Sequence, residues 1–298
     1  LGYGGESSME PGGSGEGKIH HGADDNASGT ALVISLAQQL TQIDTKRTYA
    51  FVLFNAEEMG LLGSAYFADL WARYEADYGK MVAMLNFDMV GRYKKHMTIM
   101  GTDTSKGWDS FLDIPVIQNF TTQKKKIAVG SSDHASFVNK KIPSLFFTTG
   151  AHEDYHRSTD TAEKINFIAI NKLEEYALKL ISKIDSGLKL NYNPDYVTTD
   201  PNGGNRGYGA HLGCVPEFGQ SDQIVGVVCM RASDHSPAMN AGILPGDILV
   251  QIGTIEIKTI YDLAFALKYY RAGDTVEIAW KRSQQLHKKT IKLMKSKR

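Results

Sequence analysis

Residues that could bind a metal ion lie at the ends of the apolar stretches of this sequence. They are Asp25, Glu57, Glu58, Asp88 and His156. Each has an ordinary explanation by itself: an aspartate can cap a helix, paired glutamates favour a helix start, and a histidine can lie on the surface. Because the carboxyl ends of strands meet at one rim of an α/β sheet, we expect these side chains to converge. Converging carboxylates need a cation, and oxygen and imidazole ligands suit Zn²⁺, with one carboxylate able to bridge two ions.

The elements that would position these residues alternate between strands and helices in the first part of the chain. Apolar runs predict strands at 49–54, 82–88, 96–100 and 144–149. Helical patterns occupy 30–40, 60–76, 105–114, 133–139 and 162–184. Alternation of this kind predicts an α/β fold in which helices cover both faces of a sheet.

The pattern changes after a polar stretch rich in proline and glycine. We predict a first domain at 1–190, a linker at 191–207 and a second domain at 208–298. Short strands are expected in the second domain at 226–231, 247–252, 275–281 and 290–294, with one helix at 259–270. Acidic residues outnumber basic ones up to residue 204, and the reverse holds afterwards, which also favours two domains.

Composition excludes several classes of protein. The 298 residues contain 33 Lys+Arg, 33 Asp+Glu and 42% hydrophobic residues, as in ordinary globular proteins and unlike disordered ones. No apolar run reaches the roughly 18 residues of a membrane span, and no basic pattern indicates nucleic-acid binding. The two cysteines, Cys214 and Cys229, argue against a disulfide scaffold and against thiolate metal ligands, and we expect two separate buried thiols.

Five motifs in order give the first domain a specific resemblance. GADDNASGTA, FNAEEMGLLGS, MLNFDMVGR, SSDHASF and DYHRSTDT resemble the M28 family of zinc aminopeptidases over about residues 1–185. The resemblance implies a zinc-peptidase/phosphorylase-like α/β/α fold with a mixed sheet. It also implies a cis peptide bond between Asp25 and Asn26.

The resemblance assigns a role to each residue that matches a family motif. It implies that Asp25 bridges two zinc ions, Glu58 and His156 complete one site, Asp88 belongs to the other, Glu57 is the general base and Tyr155 stabilises the oxyanion. The implied reaction is amide hydrolysis by a zinc-bound water that Glu57 deprotonates. Asp133, in the SDH element, would orient a ligand rather than belong to a catalytic triad, because three consecutive residues cannot converge.

One ligand of the family is not in this sequence. In the family, a strand carrying a further zinc-binding histidine runs into LGYGG, and this sequence begins with those residues, at Leu1. We therefore expect two zinc ions in a longer protein, and one or none, with little or no activity, in the 298 residues.

The second domain resembles PDZ domains of the HtrA type. The segment 236–253, SPAMNAGILPGDILVQIG, carries the resemblance, which covers about residues 205–298 and implies a small β-sandwich or barrel-like fold. Such domains bind the C-terminus of a peptide beside a strand. Leu212, Gly213 and Cys214 occupy the position of the carboxylate-binding loop. A structural or lid-like PDZ domain is an equal alternative.

The sequence therefore predicts a metal-dependent hydrolase, an aminopeptidase that removes N-terminal residues from peptides. The alternatives are a glutaminyl-cyclase-like zinc transferase and a non-catalytic peptide-binding scaffold. Expected partners are peptide substrates and a protein C-terminus in the PDZ groove, without nucleic acid or a membrane span. Proteins with this combination of domains suggest a periplasmic or extracellular location.

Overall fold

The chain folds as two compact units. The computed structural model describes residues 2–3, 17–126, 132–187, 189–196, 210–217, 220, 224–258 and 260–295. The unit that we call the α/β unit comprises Ala23–Thr149 and Thr161–Thr198. The β-rich unit comprises Leu1–Gly22, Gly150–Asp160 and Thr199–Arg298.

Strands are assigned in both units. In chain order within the described residues they are β1 (Gly2–Tyr3), β2 (Ile19–His20), β3 (Met84–Phe87), β4 (Met97–Met100), β5 (Thr122–Lys125), β6 (Ser144–Thr148), β7 (Cys214–Pro216), β8 (Val227–Ala232), β9 (Asp247–Ile252), β10 (Ile255–Glu256), β11 (Thr275–Arg282) and β12 (Gln285–Lys292).

The helices are mostly short. The α-helices of the described residues are α1 (Gly29–Leu40), α2 (Leu62–Arg73), α3 (Glu75–Tyr78), α4 (Trp108–Phe111), α5 (His134–Val138), α6 (Phe167–Asp185), α7 (Pro237–Ala241) and α8 (Ile260–Tyr269). Single 3₁₀ turns occupy Thr102–Thr104 and Ala162–Lys164. In the part of the chain that the structure describes, none of the helices combines the length and apolarity needed to cross a membrane.

The α/β unit contains a mixed sheet, which confirms the expected fold class. Its strand order is β3-β6-β4-β5. Strand β3 runs parallel to β6, β4 runs antiparallel to β6, and β5 runs parallel to β4. Two chain directions therefore meet at the β6–β4 boundary.

Side chains that alternate along β6 explain how both faces of this sheet are covered. Leu145 and Phe147 are fully buried in a core to which α1, α4 and α6 also contribute. The ring of the intervening residue, Phe146, stacks on the ring of His134 in α5, with centroids 4.7 Å apart. Since successive side chains of a strand point to opposite faces, helices pack on both sides of the sheet.

The predicted strand at 49–54 is wrong. Residues 49–54 lie outside the strands of the described chain, and the side chains of Phe51 and Leu53 are 43% and 53% exposed. A strand requires backbone pairing as well as apolar side chains, and the apolar run alone does not provide it. The predicted helix at 60–76 is divided into α2 and α3, and β5 was not predicted.

The β-rich unit contains a second sheet, with strand order β12-β11-β9-β8-β7 and β10 paired to β9. A short helix, α7, precedes β9 and lies in the segment that carries the PDZ resemblance. The hydroxyl of Ser236 caps its first turn by accepting from the Met239 N–H at 3.1 Å. Gly242 ends it in the left-handed region at φ 91°. The strand-rich architecture expected of a PDZ domain is confirmed.

The prediction of two separate thiols is wrong. Cys214 of β7 and Cys229 of β8 form a disulfide, and their Cα atoms are 5.4 Å apart. The two strands pair antiparallel, and an irregularity between Val215 and Pro216 places Pro216 opposite Cys229. Strand pairing thus brings the two Cα atoms within the usual disulfide range, which sequence separation alone did not reveal.

A buried ion pair connects the start of β9 to the end of β11. Asp247 is 2% exposed and accepts from Arg282 Nε at 2.8 Å and Arg282 Nη2 at 2.7 Å. It also accepts from the Leu244 N–H at 2.8 Å. Burial favours a higher pKa for Asp247, but the hydrogen bonds from Arg282 and Leu244 outweigh burial and lower it. The carboxylate therefore stabilises the folded state in its charged form.

We expect Asp247→Asn to lower the free energy of unfolding by about 2–3 kcal/mol, because it removes the charge partner of Arg282 in a buried setting. Urea denaturation at pH 7 measures the loss. Since the folded-state pKa of Asp247 is lowered, its contribution is complete above the unfolded-state pKa and is lost as pH falls. The difference between the two proteins should therefore narrow below about pH 4.

A matched control is Glu277→Gln, which removes the exposed Glu277–Lys288 pair of the same sheet, 2.9 Å long. We expect it to change the free energy of unfolding by about 0–1 kcal/mol. Equal losses in the two variants would contradict the assignment of a structural role to the buried pair.

Candidate active site

Asp25 lies in a tight turn at Ala23–Ser28 that leads into α1. The peptide bond between Asp25 and Asn26 is cis, as the family resemblance implies. The side chain of Asn26 holds this turn against the end of β3. Its Nδ2 donates to the Phe87 carbonyl at 2.9 Å, and its Oδ1 accepts from the Met89 N–H at 3.2 Å and the Gly29 N–H at 3.0 Å. Sequence reasoning missed Asn26 as the residue that positions Asp25.

Asp24 is a second positioning residue that the sequence did not single out. Its side chain is fully buried, and Oδ1 accepts from the Gly91 N–H at 2.6 Å. The Ser28 hydroxyl lies 3.0 Å from the same oxygen and accepts from the Val90 N–H at 3.1 Å. The turn is therefore attached to residues on both sides of Asp88.

Gly29 allows α1 to begin directly against the end of β3. A Cβ atom at this position would overlap the carbonyl oxygen of Phe87. The first residue of α1 and the last residue of β3 are therefore in backbone contact, and a side chain at position 29 would push them apart.

Glu57 and Glu58 lie in the turn that precedes α2. The carbonyl of Glu57 accepts from the N–H groups of Gly60 at 2.9 Å and Leu61 at 2.8 Å. The Glu57 side chain is half-buried, whereas that of Glu58 is exposed. The two neighbours therefore occupy different environments.

Asp88 follows β3 directly, and its N–H donates to the Phe147 carbonyl of β6 at 3.1 Å. Its Oδ2 accepts from the Ser132 hydroxyl at 2.7 Å, and the Ser132 oxygen in turn accepts from Asn86 Nδ2 at 2.7 Å. Its other oxygen, Oδ1, is buried and has no hydrogen-bond partner within the described part of the chain. One carboxylate oxygen is thus held in place while the other lacks any donor.

His156 and Tyr155 lie in the segment that follows β6. Their ring centroids are 3.9 Å apart with an interplanar angle of 30°, and both are half-buried. His156 belongs to the β-rich unit, whereas Asp25 and Glu58 belong to the α/β unit. Their assignment to one metal site stays a prediction.

The carboxylates of the α/β unit strongly influence one another. Burial, followed by the charges of Glu58, Asp88, Asp133 and Asp25 in that order, raises the pKa of Glu57 to about 10. Burial also raises the pKa of Asp88, and repulsion from Asp25 adds to it. Asp133 is buried and its pKa is likewise raised by desolvation.

Three residues at or beside the predicted site residues have an uncommon backbone conformation. Ala56, Met89 and His156 have φ values of 54°, 56° and 55°, in the left-handed region that residues other than glycine seldom adopt. One precedes Glu57, one follows Asp88, and one is a predicted ligand. Such strained residues concentrate at functional sites. The residue types at these positions do not predict the left-handed conformation from the sequence.

The donor set fits a divalent cation. Asp25, Glu58, Asp88 and His156 offer carboxylate oxygens and an imidazole nitrogen, the ligands that zinc prefers. The buried Oδ1 of Asp88 has no hydrogen bond to compensate its desolvation, and a cation would supply that compensation. The arrangement is suited to metal-assisted hydrolysis.

The residues predicted for peptide binding lie at the start of β7. The Leu212 carbonyl accepts from the Ala238 N–H at 2.8 Å, and the Gly213 carbonyl accepts from the Ser233 N–H at 2.7 Å. Gly213 has φ 85°, and a Cβ there would collide with the side chain of Ser236. Cys214 belongs to the disulfide. This loop is therefore held firmly beside β7, an edge strand of the sheet.

Two parts of this chain match known protein families. Residues 8–181 match Peptidase family M28, and residues 229–282 match the PDZ domain. Aminopeptidase YwaD of Bacillus subtilis is 30% identical over 159 residues, which cover 49% of this chain and 34% of the relative. Leupeptin-inactivating enzyme 1 of Streptomyces exfoliatus is 31% identical over 150 residues, covering 48% and 32%.

A solved structure shares the fold. The Legionella pneumophila LapA aminopeptidase is 24% identical, with a TM-score of 0.50, and the match covers 57% of this chain and 48% of that one. The chain spans about a third of the length of the two curated relatives. Since the family match extends over more than half of the 298 residues, the chain belongs to peptidase family M28, and it carries a PDZ domain in its C-terminal part.

Proposed function

We propose that the chain is a zinc-dependent aminopeptidase that hydrolyses the first peptide bond of peptides. The observation that supports this most directly is the buried Oδ1 of Asp88, which has no hydrogen-bond partner among the described residues and lies amid other carboxylates. A protein without a cation there would carry an uncompensated desolvation cost. The aminopeptidase relatives give the reaction class.

The proposed ligands divide between two ions. Asp25, Glu58 and His156 would hold one zinc, and Asp25 would bridge to a second held by Asp88. When bound, zinc polarises the scissile carbonyl and lowers the pKa of the attacking water. Ser132 would keep Asp88 oriented through its hydrogen bond to Oδ2.

Glu57 would act as the general base. Its pKa is raised chiefly by burial and then by the four neighbouring carboxylates. Neutralising those carboxylates lowers the pKa of Glu57 towards a range in which it is ionised at neutral pH and can still accept a proton. Glu57 would then take a proton from the attacking water and pass it to the leaving amine, while the Tyr155 hydroxyl donates to the developing oxyanion.

Location and domain boundaries belong to the same proposal. The disulfide between Cys214 and Cys229 supports an oxidising compartment, the periplasm or the cell exterior. We propose a peptidase domain at 1–190, a linker at 191–207 and a PDZ domain at 208–298, whose Leu212–Cys214 loop receives a peptide C-terminus.

Replacing Glu57 by Gln should lower kcat for an aminoacyl-nitroanilide by about 10²–10⁴-fold, because the proton acceptor is lost. Zinc content should not fall, since Glu57 is not a proposed ligand. Steady-state kinetics and metal analysis of the zinc-loaded protein measure the two quantities.

Glu75→Gln, at an exposed position of α3, is the matched control and should retain full activity. A Glu57→Gln protein as active as the wild type would refute the role of the base. If the wild type is inactive with two zinc ions bound, the aminopeptidase proposal fails and a peptide-binding scaffold is favoured.

The stability of the metal-free protein should fall as pH rises. Because the folded-state pKa values of Glu57 and Asp88 are raised, the folded protein retains protons that the unfolded chain releases above about pH 4. The folded state therefore loses stability between about pH 5 and 8. Melting temperatures measured in EDTA check this trend.

Asp88→Asn should flatten this trend, because it removes one of the repelling charges, and it should also reduce the rise in melting temperature that added zinc produces. The control is Asp69→Asn, at an exposed position of α2. If Asp88→Asn left both the pH trend and the zinc effect unchanged, Asp88 would be neither a ligand nor part of the repelling set.

A further inference from the structure

A groove lies on one face of the second sheet, in the β-rich unit. Its volume is about 470 Å³, and its apolar walls are formed by Val225, Val250, Ile257, Ala279 and Leu286. The side chains of Val225 and Leu286 are 59% and 51% exposed. Large apolar side chains that remain exposed around a concave surface indicate a site for another molecule.

The pairing of β11 shows which face of the sheet carries the groove. Ile278 and Trp280 belong to the core of the unit. Because successive side chains of a strand point to opposite faces, Ala279 and Lys281 project on the other side of the sheet. Leu286 of β12 is paired with Lys281 and lies on the same side. The groove therefore opens on the face that is turned away from the core.

An irregularity in β9 helps to form the groove. Gln251 is paired with Ala279, and Leu249 is paired with Trp280, so Val250 is an extra residue without an opposite partner. A bulge of this kind bends the strand that contains it. Beside it, the small side chain of Ala279 leaves space that a larger residue would fill. The concavity is therefore formed in part by the strand pairing itself.

Lys281 is the unpaired positive charge of the groove. Its side chain is exposed and lines the groove, and it forms no ion pair with any residue that the structure describes. Two other lysines of the unit differ in this respect, since Lys288 pairs with Glu277 at 2.9 Å and Lys258 pairs with Glu256 at 3.0 Å. Glu256 also lines the groove, but its charge is already engaged. Lys281 therefore favours an anionic partner.

A polar side chain in the groove favours a peptide over a purely aliphatic ligand. Gln251 Nε2 donates to the Gly253 carbonyl at 2.7 Å, which fixes the orientation of the side-chain amide. Its Oε1 accepts no hydrogen bond from the part of the chain that the structure describes. A backbone N–H of a bound peptide can donate to this oxygen, whereas an acyl chain has no such donor.

We propose that this groove binds a segment of a partner protein in which a bulky apolar side chain lies beside an acidic one. The apolar side chain packs against Ala279 and Leu286, the carboxylate pairs with Lys281, and a backbone N–H donates to Gln251 Oε1. None of the residues that line the groove belongs to the proposed metal site, to β7 or to the Leu212–Cys214 loop. The proposal therefore extends beyond the aminopeptidase activity and beyond the binding of a peptide C-terminus.

NMR spectroscopy of leucine methyl groups in the full 298-residue chain tests the groove. The probes are N-acetyl-Leu-Leu-Asp-amide and two counterparts, N-acetyl-Leu-Leu-Asn-amide and N-acetyl-Ala-Ala-Asp-amide. Blocked ends prevent cleavage by an aminopeptidase and remove the terminal carboxylate, so the result depends neither on the proposed function nor on the PDZ groove. We expect the Leu-Leu-Asp peptide to shift the Leu286 signal and to bind more tightly than the other two.

Two variants at exposed positions separate the charge from the apolar contact. Lys281→Gln should weaken binding of the Leu-Leu-Asp peptide by about two- to fivefold and leave the Leu-Leu-Asn peptide unchanged, because an exposed ion pair is lost. Leu286→Ala, which also identifies the Leu286 signal by its loss, should weaken both peptides by about threefold or more in calorimetry, because apolar area is lost. Lys292→Gln, at an exposed position of β12 outside the groove, should bind like wild type.

Several results would overturn the proposal. They are an unshifted Leu286 signal at millimolar peptide, equal affinity for the Asp and Asn peptides, equal affinity for the Leu-Leu-Asp and Ala-Ala-Asp peptides, and unchanged affinity in Lys281→Gln. Two further titrations test other occupants. If octanoate binds more tightly than the peptide and depends on Lys281, the ligand is an acyl carboxylate; if the Leu286 signal moves with protein concentration alone, the occupant is a second copy of this chain. Either result also overturns the proposal.

Discussion

Repulsion among carboxylates held close together is the constraint on which the α/β unit depends. Burial raises the pKa values of Glu57 and Asp88, and repulsion from Asp25, Glu58 and Asp133 adds to both shifts. A fold that collects these charges must compensate them by protonation or by a cation. The raised pKa values of Glu57 and Asp88 correspond to protonation, and the proposed zinc ligands correspond to compensation by a cation. The same acids therefore lower the stability of the metal-free protein and provide its affinity for a metal ion.

Uncharged groups keep the acids in position against this repulsion. The amide of Asn26 joins the Asp25 turn to the backbone on both sides of Asp88. Ser132 links Asp88 to Asn86, a residue of the strand that Asp88 follows. These hydrogen bonds do not depend on a bound ion, so the framework of the site is organised by the fold itself. A preorganised set of ligands reduces the ordering that metal binding would otherwise require.

Sequence reasoning identified the principal acids because their signal is local. Asp25 precedes an apolar run and the others follow one, and each lies in a motif that resembles one family. It did not identify Asn26 or Asp24, whose importance arises from contacts with residues more than sixty positions away. It did not find the disulfide either, because Cys214 and Cys229 approach only through the irregular pairing of β7 and β8. The prediction of a strand at 49–54 was wrong for a related reason. The sequence shows the apolar character of these residues, but a strand also needs a neighbouring strand with which its backbone forms hydrogen bonds.

Gly29 has a consequence for how such a site can change during evolution. The contact between α1 and the Phe87 carbonyl leaves no space for a side chain, so the turn that carries Asp25 and the strand end that carries Asp88 are separated by backbone thickness alone. Substitutions elsewhere in α1 can alter its packing but cannot easily change this separation. New metal preferences or new chemistry in descendants of this protein would therefore arise from exchanging the ligands themselves, while the distance across which they act remains inherited.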